Sequence, residues 1–208
     1  MAEGLAAAAP RLLRSDSLRT RERLLDAAAE LLRRKGTAFT LPELARESGL
    51  STATTYRHFD DVHAVFDAYY GRILGDLIDR FEAAATDAEP IKAFDNICRV
   101  WARGAVEWGR AATHIRSAEG FLERAARGDD PMLLKLFSTL SVTVRDLVDA
   151  GAVPEVDIDY AVLMWVTIFD ERVVVDLVET LGWTAERIGR TLGGSVLGSW
   201  SRQELHST

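Results

Sequence analysis

The sequence predicts an all-α protein. Apolar residues recur at spacings of three and four along most of the chain, which is the pattern of helices that bury one face. No stretch alternates apolar and polar residues over the length of a strand, and only five of the 208 residues are proline. Apolar residues make up 48% of the chain, so a substantial helical core can form.

Composition restricts the class of protein. The net charge of −7 argues against a protein that coats nucleic acid non-specifically. The single cysteine, Cys98, cannot form an internal disulfide, and its place on an apolar seam favours buried packing over redox sensing. No apolar run is long enough to span a membrane, and the N-terminus lacks the cationic start of a signal peptide. We therefore expect a cytoplasmic protein.

The N-terminal part begins with an arm and a helix. The apolar stretch in residues 1–16 is interrupted by Pro10, and we predict a disordered arm there. A helix is predicted from about Leu18 to Lys35, with Gly36 as its stop. Three cations crowd its last turn, where positive charge favours the helix dipole.

Two short helices joined by a tight turn are predicted between Thr40 and Phe59. Thr40 and Glu43 have the spacing of a capping box, and Gly49 supplies a left-handed helix stop. Ser51 can cap the second helix. A short helix, a glycine turn and a second short helix are the helix-turn-helix pattern. With the preceding helix they are predicted to form a three-helix N-terminal head over residues 17–61.

Residues 62–208 are predicted to form a larger helical bundle. Its first helix is expected from about Val62 to Ala85, almost directly after the head, which implies a rigid joint. Further helices are expected over about 90–108, 111–126, 131–150, 157–181 and 184–200.

The last two predicted helices carry signals of a subunit interface. The helix over 157–181 is apolar around much of its circumference, so it needs a covering layer on more than one side. The final helix contains Gly189, Gly193, Gly194 and Gly198, and each interior glycine costs about 1 kcal/mol relative to alanine. Close approach of another helix would offset this cost. We expect a four-helix dimer interface, with packing inside one subunit as the alternative.

The stretches TRERLLDAAAELLRRKG and TLPELARESGLSTATTYRHF, followed by a long helix, resemble the N-terminal domain of the TetR family of bacterial transcriptional regulators. The resemblance covers Thr20 to about Val65, and the rest is similar in architecture. It implies a homodimer that binds a palindromic operator in double-stranded DNA and carries a small-molecule pocket in its ligand-binding and dimerisation bundle. We expect a ligand-responsive repressor that a small, largely apolar molecule releases, without catalytic activity or cofactor. An activator or co-repressor mode stays open.

The resemblance also assigns the DNA contacts to the head. The start of the second short helix would meet base edges, its end would meet phosphates, and the start of the first would lie near the DNA backbone. The candidates are Thr40, Thr52, Ala53, Thr54, Tyr56, Arg57 and His58.

Two departures from the family's pattern remove positive charge. Thr52 stands where lysine is frequent, and Asp60-Asp61-Val62 stands where Pro-Ser-Lys is frequent. We expect weaker intrinsic DNA affinity, or compensation by arginines at 11, 14, 19 or 21. A solvated arm that makes no DNA contact is the alternative for these arginines.

Aromatic residues supply candidate walls for the pocket, although ordinary core packing is the alternative for each of them. The candidates are Phe66, Tyr70, Trp101, Trp108, Phe121, Phe137, Trp165, Phe169 and Asp170. Asp170 interrupts a very apolar stretch, and we expect it to pair with a basic ligand group, Arg103 or Arg116. A structural ion pair is the alternative for Asp170.

Catalytic and metal-binding motifs such as HExxH, the P-loop and GxSxG are absent from the sequence. Histidines at 58, 63, 114 and 206 lack the spacing of metal ligands. Two other functions stay open. One is a helical small-molecule binding protein or enzyme with a vestigial head, suggested by the acidic Asp60-Asp61 pair. The other is a head that binds protein rather than DNA.

Overall fold

The computed structural model describes residues 3–115 and 119–201, with side chains described from residue 16 onward. The described residues form ten α-helices and no strand, as the all-α prediction required. The helices are α1 (Glu3–Lys35), α2 (Leu41–Ser48), α3 (Thr52–His58), α4 (Val62–Ala85), α5 (Pro90–Ile115), α6 (Phe121–Arg127), α7 (Pro131–Asp149), α8 (Ile158–Ile168), α9 (Glu171–Glu179) and α10 (Ala185–Trp200).

The chain separates into two compact units, Met1–Tyr70 and Gly71–Thr208, which we call the N-terminal unit and the C-terminal unit. The division falls inside α4, whereas the sequence analysis put a domain boundary between residues 61 and 62, at the start of that helix. Helix α4 therefore contributes residues to both units.

Helix α1 is longer than predicted. It begins at Glu3 rather than near Leu18, so it includes the stretch for which a disordered arm was expected. Residues 6–9 are all alanine, the residue with the highest helix propensity, which favours helix through this stretch. The side chains of residues 1–15, including the arginines at 11 and 14, lie outside the described residues.

The N-terminal unit packs α1, α2 and α3 around an aliphatic core. The predicted inward stripe of α1 is buried, with Leu24 and Leu32 fully covered, and Leu44 of α2 is buried with them. Polar contacts on the outside join α1 to α2. Arg34 Nη2 lies 2.7 Å from Glu47 Oε2, and Lys35 Nζ lies 2.6 Å from Glu43 Oε1. Exposed ion pairs such as these stabilise little individually, so burial carries the packing.

The C-terminal unit is built around α5, against which α7, α9 and α10 pack. Helix α5 runs to Ile115 and continues through Gly109, where an interruption was predicted. The glycine allows α9 to approach closely, because a Cβ at Gly109 would lie 3.2 Å from Val175 Cγ2. Helix α6 is correspondingly shorter than the helix predicted over 111–126, and residues 116–118 lie outside the described residues.

The prediction of one helix over 157–181 was wrong, because the helix is interrupted between α8 and α9. The Asp170 carboxylate accepts the backbone N–H of Arg172 at 2.9 Å and caps α9, which offers the backbone a helix start. Much of the apolar surface of this region is already covered inside the subunit, since Trp165, Phe169 and Val174 are fully buried. That covering was expected from a partner.

The four glycines of α10 divide into two pairs. A Cβ at Gly189 would lie 3.1 Å from both Arg99 Cα and Cys98 O, and one at Gly193 would lie 3.3 Å from Cys98 Sγ. These two glycines allow close packing on α5 within the subunit, which was the alternative reading. A Cβ at Gly194 or Gly198 would meet nothing within 4 Å, so these two positions face open space.

Candidate DNA-binding surface and ligand sites

Local hydrogen bonds define both ends of α2. Thr40 and Glu43 form the predicted capping box: Glu43 N donates to Thr40 Oγ1 at 3.4 Å, and Thr40 N donates to Glu43 Oε2 at 3.0 Å. Gly49 ends the helix at φ 65°, a left-handed conformation that strains other residues. Three residues close in sequence therefore define the start and the end of α2.

Helix α3 starts at a cap and is held by one buried hydroxyl. Ser51 Oγ accepts the Thr54 N–H at 3.1 Å. Thr55, which stands where an apolar residue is usual in the resembled family, is fully buried, and its hydroxyl donates to Ser51 O at 3.3 Å. The hydrogen bond satisfies the hydroxyl, so threonine fits this core position.

The seven candidate DNA contacts lie at the surface or half-buried. Thr40, Thr52, Ala53, Tyr56 and Arg57 are exposed, Tyr56 by 51%. Thr54 and His58 are half-buried. Positions 52 and 56 are one helical turn apart, and so are positions 53 and 57. These four residues therefore form a single outward face of α3.

Arg57 carries a positive charge without an acidic partner on this face. Its Nη2 donates to Thr54 Oγ1 at 3.0 Å, and no carboxylate within the described residues pairs with it. The cations at the end of α1 differ, since Arg33, Arg34 and Lys35 each pair with a glutamate. The Arg57 guanidinium is therefore oriented by a neutral hydroxyl, and no carboxylate of the described residues neutralises its charge.

His58 is held next to two arginines. Burial, followed by the charges of Arg21 and Arg57, lowers the pKa of His58 below its ordinary value, so the imidazole is neutral at pH 7. Arg21 Nη1 donates to His58 O at 3.5 Å, and the Arg21 guanidinium lies 4.6 Å from the centre of the Phe59 ring. Arg21, one of the arginines proposed to compensate for missing charge, thus holds the end of α3.

The acidic pair after α3 includes a helix cap. Asp61 Oδ1 accepts the Ala64 N–H at 2.8 Å at the start of α4, which is the capping role expected from its position. Asp60 is exposed beside it. Both charges stay near the proposed DNA surface, so they oppose phosphate binding.

Three of the predicted ligand residues form part of a close-packed aromatic cluster. Trp101 lies 5.1 Å from Phe169 and 6.4 Å from Trp165 between ring centres, and all three are at most 3% exposed. Phe94 and Trp200 extend the cluster against Trp165 at 4.7 and 5.9 Å. These contacts are those of a packed core.

The other aromatic candidates lie elsewhere. Phe66 packs edge-on against Phe39 at 5.4 Å inside the N-terminal unit, to which the half-buried Tyr70 also belongs. Phe121 pairs with Phe137 at 6.3 Å. Trp108 folds back along α5, since a Cβ at Gly104 would lie 3.1 Å from Trp108 Nε1. The nine candidates therefore do not form one wall.

Buried polar atoms with unmet hydrogen-bonding capacity occur in the aromatic cluster and on α7. Trp101 Nε1 and Ser141 Oγ have no hydrogen-bond partner in the described part of the chain. Trp165 Nε1 has only the Cys98 sulfur, a weak acceptor. Burial, together with the charge of Asp95, raises the pKa of the Cys98 thiol well above its ordinary value, so Cys98 packs as a neutral thiol.

Asp170 has a structural role. Besides capping α9, its Oδ2 lies 2.9 Å from Arg172 Nη2, which is the structural ion pair that the sequence analysis kept as the alternative. Arg103, one proposed partner, lies 3.8 Å from Glu186, and Arg116, the other, is outside the described residues.

Comparison with known proteins identifies the N-terminal unit. Residues 24–69 match the family model described as bacterial regulatory proteins, tetR family. Within the N-terminal unit, these residues carry the sequence pattern of the tetR family. The match includes the last third of α1, all of α2 and α3, and the start of α4. The resemblance seen in the sequence is thereby confirmed, and most of the chain has the fold of a TetR-family transcriptional regulator.

Solved structures share this fold along most of the chain. The TetR-family regulator PfmR from Thermus thermophilus is 23% identical with a TM-score of 0.67, covering 85% of this chain and 97% of that one. FadR from Bacillus subtilis, solved with stearoyl-CoA, is 15% identical with a TM-score of 0.71, covering 85% and 97%. SmeT, solved with triclosan, is 19% identical with a TM-score of 0.63, covering 88% and 92%.

The C-terminal unit of this TetR-family fold also contains a groove that sequence reasoning missed. Its volume is about 490 Å³, and it lies where the end of α4 and the start of α5 face α7. None of the nine predicted ligand residues lines it. The sequence pattern that could have indicated the groove lies on α7, where polar residues recur at helical spacing around an exposed valine. The residues of this stripe are Lys135, Ser138, Thr139, Val142, Thr143 and Asp146.

Over residues 3–115 and 119–201, no group of three or more His, Cys, Asp or Glu side chains is arranged to hold a metal ion. Over the same residues, no helix is both long enough and apolar enough to cross a bilayer.

Proposed function

We propose that this TetR-family regulator is a ligand-responsive repressor that binds a palindromic operator as a homodimer and leaves it when a small, largely apolar molecule binds. The observation that carries the proposal is the outward face of α3. This helix is capped at Ser51 and presents two small residues, Thr52 and Ala53, at its exposed start. Recognition helices enter the major groove with their N-terminal residues. Small side chains at that end allow close approach to base edges.

Each exposed side chain of α3 suits one kind of contact. Threonine can contact a thymine methyl group, and the Arg57 fork matches the two acceptors of guanine. Tyr56 and neutral His58 can donate to phosphate oxygens. Thr40 is exposed at the start of α2, where the positive end of the helix dipole favours a phosphate. The face thus combines base reading with phosphate contacts that are mostly neutral.

Dimerisation through the last helices is supported by surface features of α9 and α10. Gly194 and Gly198 lie on an open side of α10, where another helix can approach closely. Val173 and Leu181 are apolar and 39% and 58% exposed. A dimer that places two α3 helices in successive major grooves would read half-sites about 34–36 Å apart.

The effector would act through the C-terminal unit. Similar folds have been solved with triclosan and with stearoyl-CoA. Either the aromatic cluster, with the unpartnered Trp101 N–H, or the groove beside α7 offers a location. Because α4 has residues in both units, we propose that the effector acts by displacing α4. Release requires tighter binding to the state that cannot bind DNA.

Fluorescence anisotropy with labelled DNA from the region upstream of the gene tests the proposal. We expect salt-dependent, sequence-specific binding by the full chain, and its loss when Tyr56 and His58 are both replaced by alanine. The control is Arg145→Ala, which removes an exposed cation from α7 in the C-terminal unit. Absence of sequence-specific binding by the wild type, or equal losses in both variants, would overturn the proposal.

A further inference from the structure

The groove beside α7 has one continuous wall. Its residues on α7 begin with Lys135 and end with Asp146, and they recur at intervals of three and four. The eleven residue steps from Lys135 to Asp146 span about 16 Å, so the wall is long enough for an extended small molecule. The volume of about 490 Å³ lies within the usual range of ligand pockets.

The three threonine hydroxyls in the groove present acceptors rather than donors. Thr86 Oγ1 donates to Glu82 O at 2.8 Å, Thr139 Oγ1 to Lys135 O at 3.0 Å, and Thr143 Oγ1 to Thr139 O at 3.2 Å. A hydroxyl that donates to its own helix keeps lone pairs for another group. These three side chains therefore favour a ligand that brings its own N–H or O–H donors.

The charges of the groove favour a cation. Lys135 Nζ already lies 3.3 Å from Asp79 Oδ1 and 3.2 Å from Glu82 Oε1. Asp146, at the other end of the wall, has a carboxylate without a hydrogen bond or ion pair to any described residue. The lining holds two carboxylates and one ammonium group, so its net charge is negative. A carboxylate ligand would meet repulsion from Glu82 and Asp146. Lys135, the cation in the groove lining, is already paired.

The centre of the groove is apolar. Ala85, Ala88, Pro90 and Ala93 line it across from Val142, whose side chain is 50% exposed. An exposed valine in a concave site gains stability when a ligand covers it. An aliphatic or aromatic body of moderate size would fit between these small side chains.

We propose that this groove binds a protonated primary or secondary amine that carries an apolar body, with the ammonium group at Asp146. The N–H donors would meet the Asp146 carboxylate and threonine oxygens, and the apolar body would cover Val142. The inference deepens the proposed function, because this groove is one of its two effector locations, but binding of the amine does not depend on DNA binding. The groove is separate from the aromatic cluster, whose unpartnered Trp101 indole N–H favours an acceptor instead.

Isothermal titration calorimetry of the full chain without DNA tests the head group that the groove prefers. The probes share one chain length: octylammonium, octyltrimethylammonium, octanol and octanoate. Alkylamines titrate near lysine, so octylammonium is charged at pH 7. We expect one site per chain, with octylammonium binding about tenfold tighter than octanoate and severalfold tighter than the trimethylated cation, which has no N–H donor. Equal or tighter binding of octanoate, or no binding of octylammonium, would overturn the proposal.

Three variants test the location. Asp146→Asn keeps the shape of the side chain and removes its charge, and we expect octylammonium to bind about fivefold more weakly. Asp149→Asn, the matched control, removes an exposed charge one turn away on α7, outside the groove, and should leave binding unchanged. Val142→Arg should abolish binding by filling the groove with a like charge. Equal affinities in the Asp146 and Asp149 variants would overturn the assignment, including when the amine binds elsewhere.

Discussion

The two units of this protein are held together in different ways. In the N-terminal unit, short helices begin and end at local hydrogen bonds, such as those of Thr40 and Ser51. In the C-terminal unit, buried rings from distant parts of the chain interlock, and Trp165 contacts Phe94 and Trp200. Local bonds depend on spacing within a few residues, whereas ring packing depends on residues far apart in sequence. This difference explains why the helix ends of the N-terminal unit could be predicted from sequence, whereas the C-terminal unit could be predicted only in outline.

Replacing the central ring of the C-terminal unit should give the largest loss of stability. Trp165 is fully buried, so Trp165→Ala should lower the free energy of unfolding by about 3–5 kcal/mol. Trp183 is the matched control, because it is half-buried and stacks with Arg187 at 3.9 Å. Trp183→Ala should cost about 1 kcal/mol. Chemical denaturation followed by circular dichroism measures both, and similar losses would contradict the assignment of stability to the interlocked rings.

How far sequence predicts structure follows the same division. The ends of α2 and α3 were predicted correctly, because Thr40, Glu43, Gly49 and Ser51 act on backbone groups within three residues. The break at Asp170 was missed, since an aspartate in an apolar stretch does not reveal whether it caps a helix or faces a cavity.

The candidate sites were predicted unevenly. The family resemblance supplied the outward residues of α3, and the structure brings them to one face. The groove could not be predicted from sequence, because it depends on the packing of α4, α5 and α7, whose lining residues extend from Glu82 to Asp146. Its small and hydroxylated lining residues carry no motif. The sequence analysis instead selected aromatic residues as ligand contacts, and three of them lie in the packed core.

The two glycine pairs of α10 separate packing inside the C-terminal unit from packing between subunits. Gly189→Ala should destabilise the chain by about 1–3 kcal/mol, because the new Cβ would press on the α5 backbone. Gly194→Ala should stabilise an isolated subunit by up to about 1 kcal/mol through helix propensity. It should also weaken the proposed dimer. Denaturation and analytical ultracentrifugation measure the two effects, and a Gly194 variant with unchanged dimer affinity would exclude this face of α10 as the interface.

Removing a surface charge from the N-terminal unit should affect DNA without affecting stability. Arg57→Ala should lower specific DNA affinity by about 1–3 kcal/mol and leave the free energy of unfolding unchanged. Arg57→Lys keeps the charge and loses the fork, so it should retain non-specific binding and lose discrimination between operator and unrelated DNA. Competition binding at two salt concentrations measures this. Full discrimination by the lysine variant would show that Arg57 contacts phosphate rather than a base.

The smallest expected effect is a pH dependence in the N-terminal unit. Because the pKa of His58 is lowered by burial and by Arg21 and Arg57, the folded state binds fewer protons than the unfolded state. Stability should therefore fall as pH drops below about 6.5. DNA affinity should change in the opposite direction, because a nearby phosphate favours protonated His58. Titrations between about pH 7.5 and 5.5 measure both trends. His58→Gln should flatten them, and an unchanged pH profile would assign the effect to another group.

Selection of DNA from a random library by the full chain tests the central claim most directly. We predict enrichment of a palindromic sequence whose half-sites are centred about 34–36 Å apart, as expected for two α3 helices in successive major grooves. The Arg57→Ala variant should enrich a sequence with relaxed preference at one position of each half-site. Enrichment of no sequence by the wild-type chain would contradict the assignment of α3 as a DNA reader.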